Sequence, residues 1–284
     1  PTPYRPETFA DTVHLEEERE CPAHSGFGWV WDVGLIRDKS QERLSRDYWA
    51  QVQGVAPEET SHTIFAVYGA DYKNPPFNHA VRIWVNGQLY SDTLWSGCPP
   101  DRVVPVYGEG VGLESGFNRL TLEMYRAPGD TSLDQIYLDY FEVLYRRRYE
   151  ADSNRLRFST WGNPRDTTYE FRIDNLGEPS TVLDISEPFR PVRIVNYAVS
   201  QSEIRFQDRV DTSRTYFAAR AFLSPLRVSL SSWQSLRGST GADWIAVCPD
   251  AFLDGVTALA EWRKEHLLGI PNPITRVVSL SQVY

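Results

Sequence analysis

Along much of the chain apolar and polar residues alternate singly, the period of a strand with one buried face. Val81, Ile83 and Val85 alternate with Arg82 and Trp84. Leu120, Leu122 and Met124 alternate with Thr121, Glu123 and Tyr125, and Ile64–Tyr68 and the Tyr- and Leu-rich run Ile136–Tyr145 read as further strands. Asn86-Gly87 between two such runs predicts a tight hairpin, because both central positions of that turn need positive φ. Turn signals recur about every ten residues, which predicts a β-sandwich or jelly roll over residues 1–150. Residues 1–40 hold no steady period and read as irregular, with Glu16-Glu17-Glu18 as a solvated run. Within them lies the glycine-rich aromatic stretch Ser25–Trp31, where Trp29 and Trp31 would share a strand face. The continuous β pattern is read from about residue 60.

A second β-rich region, small sandwich or linker domain, is expected over residues 151–237. Arg155–Phe158 and Tyr169–Ile173 alternate, Asp174-Asn175-Leu176-Gly177 reads as a turn, and short runs follow at Val192–Val195, Ile204–Phe206, Tyr216–Ala219 and Leu226–Leu230. After Gly238-Ser239-Thr240-Gly241 the period changes. Trp244–Val247 is uniformly apolar, as in a strand buried on both faces. Phe252, Val256, Leu259 and Ala260 recur at helical spacing, with Asp250 as a candidate cap and Gly269 and Pro271 as stops. Ile274–Leu280 is another strand-like run, so residues 238–284 predict a β-α-β unit with parallel strands. About forty-five residues bury too little surface to stand alone. The expectation is that this unit is an incomplete α/β domain, finished by further chain or by a separate one.

Composition narrows the function. The 284 residues carry 9 Trp, 15 Tyr and 13 Phe against one Met, a balance that suits pleated, half-buried surfaces. A net charge of −9 argues against nucleic-acid and lipid-headgroup binding. No run approaches the roughly 18 apolar residues of a membrane helix, so the chain is not expected to span a membrane.

The residues that could carry chemistry are scattered. Cys21, Cys98 and Cys248 show no metal-ligand spacing. Cys248 reads as a core thiol, and Cys21 and Cys98 could bridge in an exported protein. His14 and His24 flank the acidic run, where they could share a metal with Glu16 or Glu18, but without a ligand spacing signature a structural or solvent role is the stronger reading. His266 reads as a surface residue favoured by a helix C-terminus. Asp134, Asp139 and Glu142 are close in sequence, but Asp139 inside a strand reads as a hydrogen-bonding residue rather than half of a glycosidase pair. Calcium at Gly129-Asp130 or Asp208–Asp211 lacks the spacing of a known loop, and no cofactor is expected. Gly108–Gly112 lacks the last glycine of a dinucleotide loop and reads as a hairpin or loop. No catalytic residue is assigned.

The order of several motifs resembles gingipain-type cysteine peptidases, in particular the sortase-like members linked to type IX secretion. Val13-His14-Leu15-Glu16 with Ser25-Gly26-Phe27-Gly28-Trp29 is similar to the family's opening, and Ile83-Trp84-Val85-Asn86-Gly87 to its central hairpin. Ile136–Val143 with Tyr145-Arg146-Arg147 resembles a further strand. Ala242–Val247, Leu259–Arg263 and Val277–Tyr284 resemble the first, caspase-like β-α-β of the peptidase domain. The family's catalytic histidine and cysteine lie on later strands, and no position here matches them; Cys248, after the first strand and before Pro249, is not the nucleophile by position. The resemblance implies a non-catalytic N-terminal region, extracellular or at the cell surface in association with the outer membrane. Its implied partners are a downstream peptidase domain of the same protein and an outer-membrane protein. An alternative from another class is a carbohydrate-binding β-sandwich, with Trp29, Trp31, Trp84 and Trp95 as candidate ligand-stacking rings. Packing in the core is the competing role for those rings.

Overall fold

The computed structural model describes residues 2–21, 28–70, 77–97, 104–129, 133–160, 165–222, 224, 226, 228 and 241–283. They divide into two compact units, Pro1–Phe222 and Leu223–Tyr284.

The first unit opens with nine strands: β1 (Thr8–Glu16), β2 (Asp32–Arg37), β3 (Arg43–Val52), β4 (Ser61–Gly69), β5 (His79–Val85), β6 (Gln88–Trp95), β7 (Val104–Gly110), β8 (Gly116–Tyr125) and β9 (Asp134–Arg148). One sheet runs β1-β9-β4-β7, with β2 also on β9; the other runs β3-β8-β5-β6. All pairings are antiparallel. β1 and β2 lie one after the other along a single edge of the long β9, on Tyr140–Arg148 and Asp134–Leu138. The inward rows of the two sheets, among them Phe65, Val67, Leu138 and Phe141 against Tyr48, Ile83, Leu122 and Met124, form one core. Asn86 (φ 50) and Gly87 (φ 85) close β5 onto β6, as their sequence predicts.

Two expectations are corrected in this sandwich. Residues 1–40 are not irregular, since they supply β1 and β2, and β3 precedes the expected start of the β pattern. Gly108 and Gly110 belong to β7 rather than a loop. The Tyr90 side chain lies against both, so a Cβ at Gly110 would come within 2.6 Å of its ring.

Seven shorter strands follow: β10 (Arg155–Ser159), β11 (Thr167–Ile173), β12 (Thr181–Asp184), β13 (Val192–Ile194), β14 (Tyr197–Ser200), β15 (Glu203–Val210) and β16 (Thr215–Ala219). They form sheets β10-β16-β12-β13 and β11-β15-β14. Their core is aromatic: Phe158 lies 5.2 Å from Phe171 and 5.1 Å from Tyr216, and Phe171 lies 5.1 Å from Phe206. The N-terminal segment crosses to this second sandwich. Tyr4 donates its N–H to Thr168 and accepts from Glu170, and Phe9 packs 5.0 Å from Tyr149 within the second core. Of the expected run Leu226–Leu230, only Leu226 and Val228 are described, and neither is in a strand.

The second unit contains β17 (Trp244–Cys248), a 3-10 turn at Asp250–Phe252, helix α1 (Leu253–His266), β18 (Thr275–Ser279) and a closing 3-10 turn. β17 and β18 are parallel, Trp244 opposite Thr275 and Cys248 opposite Ser279, so the predicted β-α-β is present. Asp250 does not cap the helix: it opens the turn before it and accepts a hydrogen bond from Ser281 Oγ at 2.9 Å.

Candidate functional site

The histidines and carboxylates of the first sandwich are held by one another. His14 on β1 lies 2.9 Å from Glu142 on β9 and 3.0 Å from Glu16. Its hydrogen bonds to the Glu16 and Glu142 carboxylates, which favour the protonated ring, raise its pKa above the ordinary histidine value. His14 is thus a carboxylate partner on an exposed sheet face, and His24 lies outside the described residues. His79 is fully buried; its Nδ1–H donates to Asp134 at 2.6 Å and its Nε2 accepts from Asn78 at 3.1 Å. The Trp95 ring covers this histidine at 4.8 Å, and Gly69 is needed beside it because a Cβ there would meet Nε2 at 2.6 Å. Asp134 and Glu142 therefore each serve a histidine.

Asp139 is different from the residue the sequence suggested. The β4–β9 register slips between Ala66 and Val67, so Asp139 sits in a bulge with no strand partner opposite on β4. Burial first, then the charges of Glu16 and Glu18, push its pKa up to about 6. Among the described residues no group of three His, Cys, Asp or Glu side chains converges as a metal site would require. Asp208 accepts from Tyr216 at 2.7 Å, Asp211 faces Arg214, and Asp130 and Cys98 lie outside the described residues. Cys21 is exposed and Cys248 is buried at the end of β17.

The four candidate stacking rings separate. Trp29 is 55% exposed and precedes β2. Trp31 stacks on Phe141 at 5.2 Å within the core, so it does not share a surface with Trp29. Trp95 packs against the core and His79, and its Nε1, like that of Trp84, is buried without a hydrogen-bond partner among the described residues. Trp84 lies opposite Thr121 and Leu89, partly covered on the outer face of its sheet. Two exposed rings on that face were not anticipated: Trp49 (57%) on β3 and Phe117 (71%) on β8, one cross-strand step apart diagonally. Their outward parity follows from Tyr48, Ala50, Asn118 and Leu120 being buried on either side.

In the second unit the apolar surface is open. α1 packs against β17 and β18. On β17 Cys248 is buried and Trp244 and Ala246 are partly covered, whereas Ile245 and Val247 stand 57% and 55% exposed. The expectation of a strand buried on both faces is thus not met among the described residues. Among the described residues each strand of the pair has one neighbour. At the helix end His266 bonds the Trp262 carbonyl at 2.8 Å and stacks on its ring at 4.3 Å. No helix among the described residues is long and apolar enough to cross a membrane.

Architecture of this kind, two sandwiches and a parallel β-α-β unit, is shared with dimeric latent PorU from Porphyromonas gingivalis at a TM-score of 0.71. The fold is PorU-like. Identity is 17%, and the likeness covers 99% of this chain and 26% of PorU, so the chain spans about a quarter of its neighbour's length. A family 35 carbohydrate-binding module from Clostridium thermocellum aligns at a TM-score of 0.28 and 13% identity, over 48% of this chain and 95% of the module. A Paenibacillus cycloisomaltooligosaccharide glucanotransferase complexed with cycloisomaltoheptaose aligns at 0.28 and 8%, over 75% of this chain and 46% of the enzyme. At those scores neither likeness bears on the fold. The sequence matches no described protein family and no curated protein.

Proposed function

We propose that this chain is a non-catalytic region of a gingipain-related, PorU-like cysteine peptidase of type IX secretion, held at the cell surface. In this reading the two sandwiches position and shield the catalytic domain, or dock it to an outer-membrane partner. β17, α1 and β18 form the first layer of that domain. Catalysis by the whole protein would be attack of a thiolate on a peptide carbonyl, with a histidine as general acid and base, both groups lying on strands outside these residues.

The observation that carries the reading is the open face of β17. Parallel strands are ordinarily covered on both faces and flanked by neighbours, and a two-stranded sheet is marginal by itself. Ile245 and Val247 are apolar yet more than half exposed on such a pair. Further strands beside the pair and a helix over Ile245 and Val247 would complete it as in any α/β domain. Reading the gene past the codon for Tyr284 tests this. The expected result is more apolar strands alternating with helices, with a histidine and then a cysteine at strand ends. A stop codon at that point, or a continuation without such a pair, overturns the peptidase reading.

Trp29, Trp49 and Phe117 favour a second reading as a glycan-binding sandwich, since exposed rings stack on sugar faces. Glycan-array binding lost on Trp29→Ala or on Trp49→Ala would support it. Flat curves against every glycan would remove it.

A further inference from the structure

A cleft of about 630 Å³ in the first unit is bounded by two strand edges. Residues Phe9–Thr12 of β1 form one wall and Arg155–Ser159 of β10 the other, with Arg147, Thr215 and Phe217 in its lining. Among the described residues β1 pairs only with β9, and β10 only with β16; each ends its sheet.

Hydrogen-bond parity shows which backbone groups point away from the partner strand of each sheet. Arg220 donates to the Asn154 carbonyl and Thr160 donates to Arg214, so the even-numbered residues of β10 bond toward β16. Arg155, Arg157 and Ser159 then turn their N–H and C=O groups outward. Arg155 is closed locally by two 3.0 Å bonds with Asp152. Among the described residues that leaves the donors and acceptors of Arg157 and Ser159 as an open ladder. On the facing edge, Arg148 donates to Gly54 and Arg146 accepts from Ala56, away from β1. Their partners Thr8 and Ala10, and Thr12 at the same parity, therefore point their backbone groups outward as well. Thr12 N–H is bonded by the Asp11 carboxylate at 3.0 Å.

Side chains on β10 divide by face. Leu156 and Phe158 point into the aromatic core, while Arg155 and Arg157 are exposed on the opposite face, beside Ala219 and Phe217 of β16. Neither arginine enters an ion pair among the described residues, whereas Arg147, also in the lining, is paired with Asp11 at 2.9 Å. A strand laid along β10 would place every second side chain next to these two guanidinium groups, where carboxylates are favoured across the pair.

We propose that β10 is a docking edge that takes up an extended polypeptide with acidic residues at alternate positions, by strand addition in the cleft between the sandwiches. This goes beyond the function proposed above and does not depend on it.

Fluorescence anisotropy of the whole chain tests it, with a labelled peptide alternating valine and glutamate. Comparison peptides carry lysine in place of glutamate, or N-methyl groups on alternate amides. Saturable binding of the glutamate peptide is expected, weakened about tenfold or more by N-methylation because backbone bonds are lost. The double variant Arg155→Glu/Arg157→Glu should reverse the preference toward the lysine peptide. Arg157→Pro removes an outward N–H without touching a bond to β16, and should weaken binding about tenfold with an unchanged unfolding midpoint. If that variant fails to fold, the N-methylated peptide carries the same test. Absence of saturable binding would mean that the arginines only guard an edge from aggregation, and would overturn the proposal. So would equal binding of the glutamate and lysine peptides, no effect of N-methylation, or a dimer of the chain that Arg157→Pro dissolves.

Discussion

Replacing Asp139 by Asn should stabilise the first sandwich at neutral pH and lose that effect in acid. Asp139 sits in the β9 bulge, and burial together with Glu16 and Glu18 pushes its pKa from 3.8 up to about 6. A folded-state pKa above the unfolded value means that the folded chain binds more protons between those two points. Stability therefore falls as pH rises from about 4 to about 6, and the loss persists above that window. At full strength the shift corresponds to about 3 kcal/mol. Asp139 is only partly covered, so solvent screening reduces the expected effect to about 1 kcal/mol. Asparagine imitates the protonated side chain and removes the penalty. Urea unfolding at about pH 7.5 and about pH 4 reads this directly, with a gain of about 1 kcal/mol at the first pH and almost none at the second. An Asp139→Asn variant that is less stable at neutral pH, or equally changed at both, would refute the argument from burial and like charge.

Other outcomes follow from packing and backbone geometry. Phe141→Ala removes a fully buried ring stacked between Trp31 and Phe65, at 5.2 and 5.3 Å, and should cost about 3–5 kcal/mol in a urea melt. Gly87→Ala meets no atom within 4 Å, so its loss of about 1 kcal/mol should come only from the strained φ of +85°. Ile245→Thr with Val247→Thr should change the stability of this chain by no more than about 0.5 kcal/mol per site, since both side chains are mainly exposed. In a longer gene product with the sheet completed, calorimetry should show a loss of about 1–2 kcal/mol for each.

The hairpin, the alternation of β5 and β8, and the parallel β-α-β could be read from local pattern, because each is decided by neighbours a few residues apart. β1 escaped for a long-range reason. Its inward side chains serve two cores, Phe9 the second and Val13 and Leu15 the first, around the partly polar position of Asp11. β3 was obscured because Trp49 points out while Arg46 shares the parity of the buried Tyr48 and Ala50. The same inversion hid the exposed Trp49–Phe117 pair, whereas Trp31 takes the core-packing role that competed with ring stacking. His79 and Asp134 meet across 55 positions of sequence, and the Asp139 bulge depends on the register of β4. Neither leaves a local trace. β17 looked fully buried from its composition, since apolarity records the surroundings a strand is suited to rather than the cover it has among the described residues.

Hydrogen exchange of the β17 and β18 amides, compared between this chain and the longer gene product proposed above, tests the central claim most directly. A sheet with open edges and an uncovered face should exchange at the rate of local opening in the short chain and become strongly protected in the long one. Equal, slow exchange in both would show that the unit is already complete and would contradict the account.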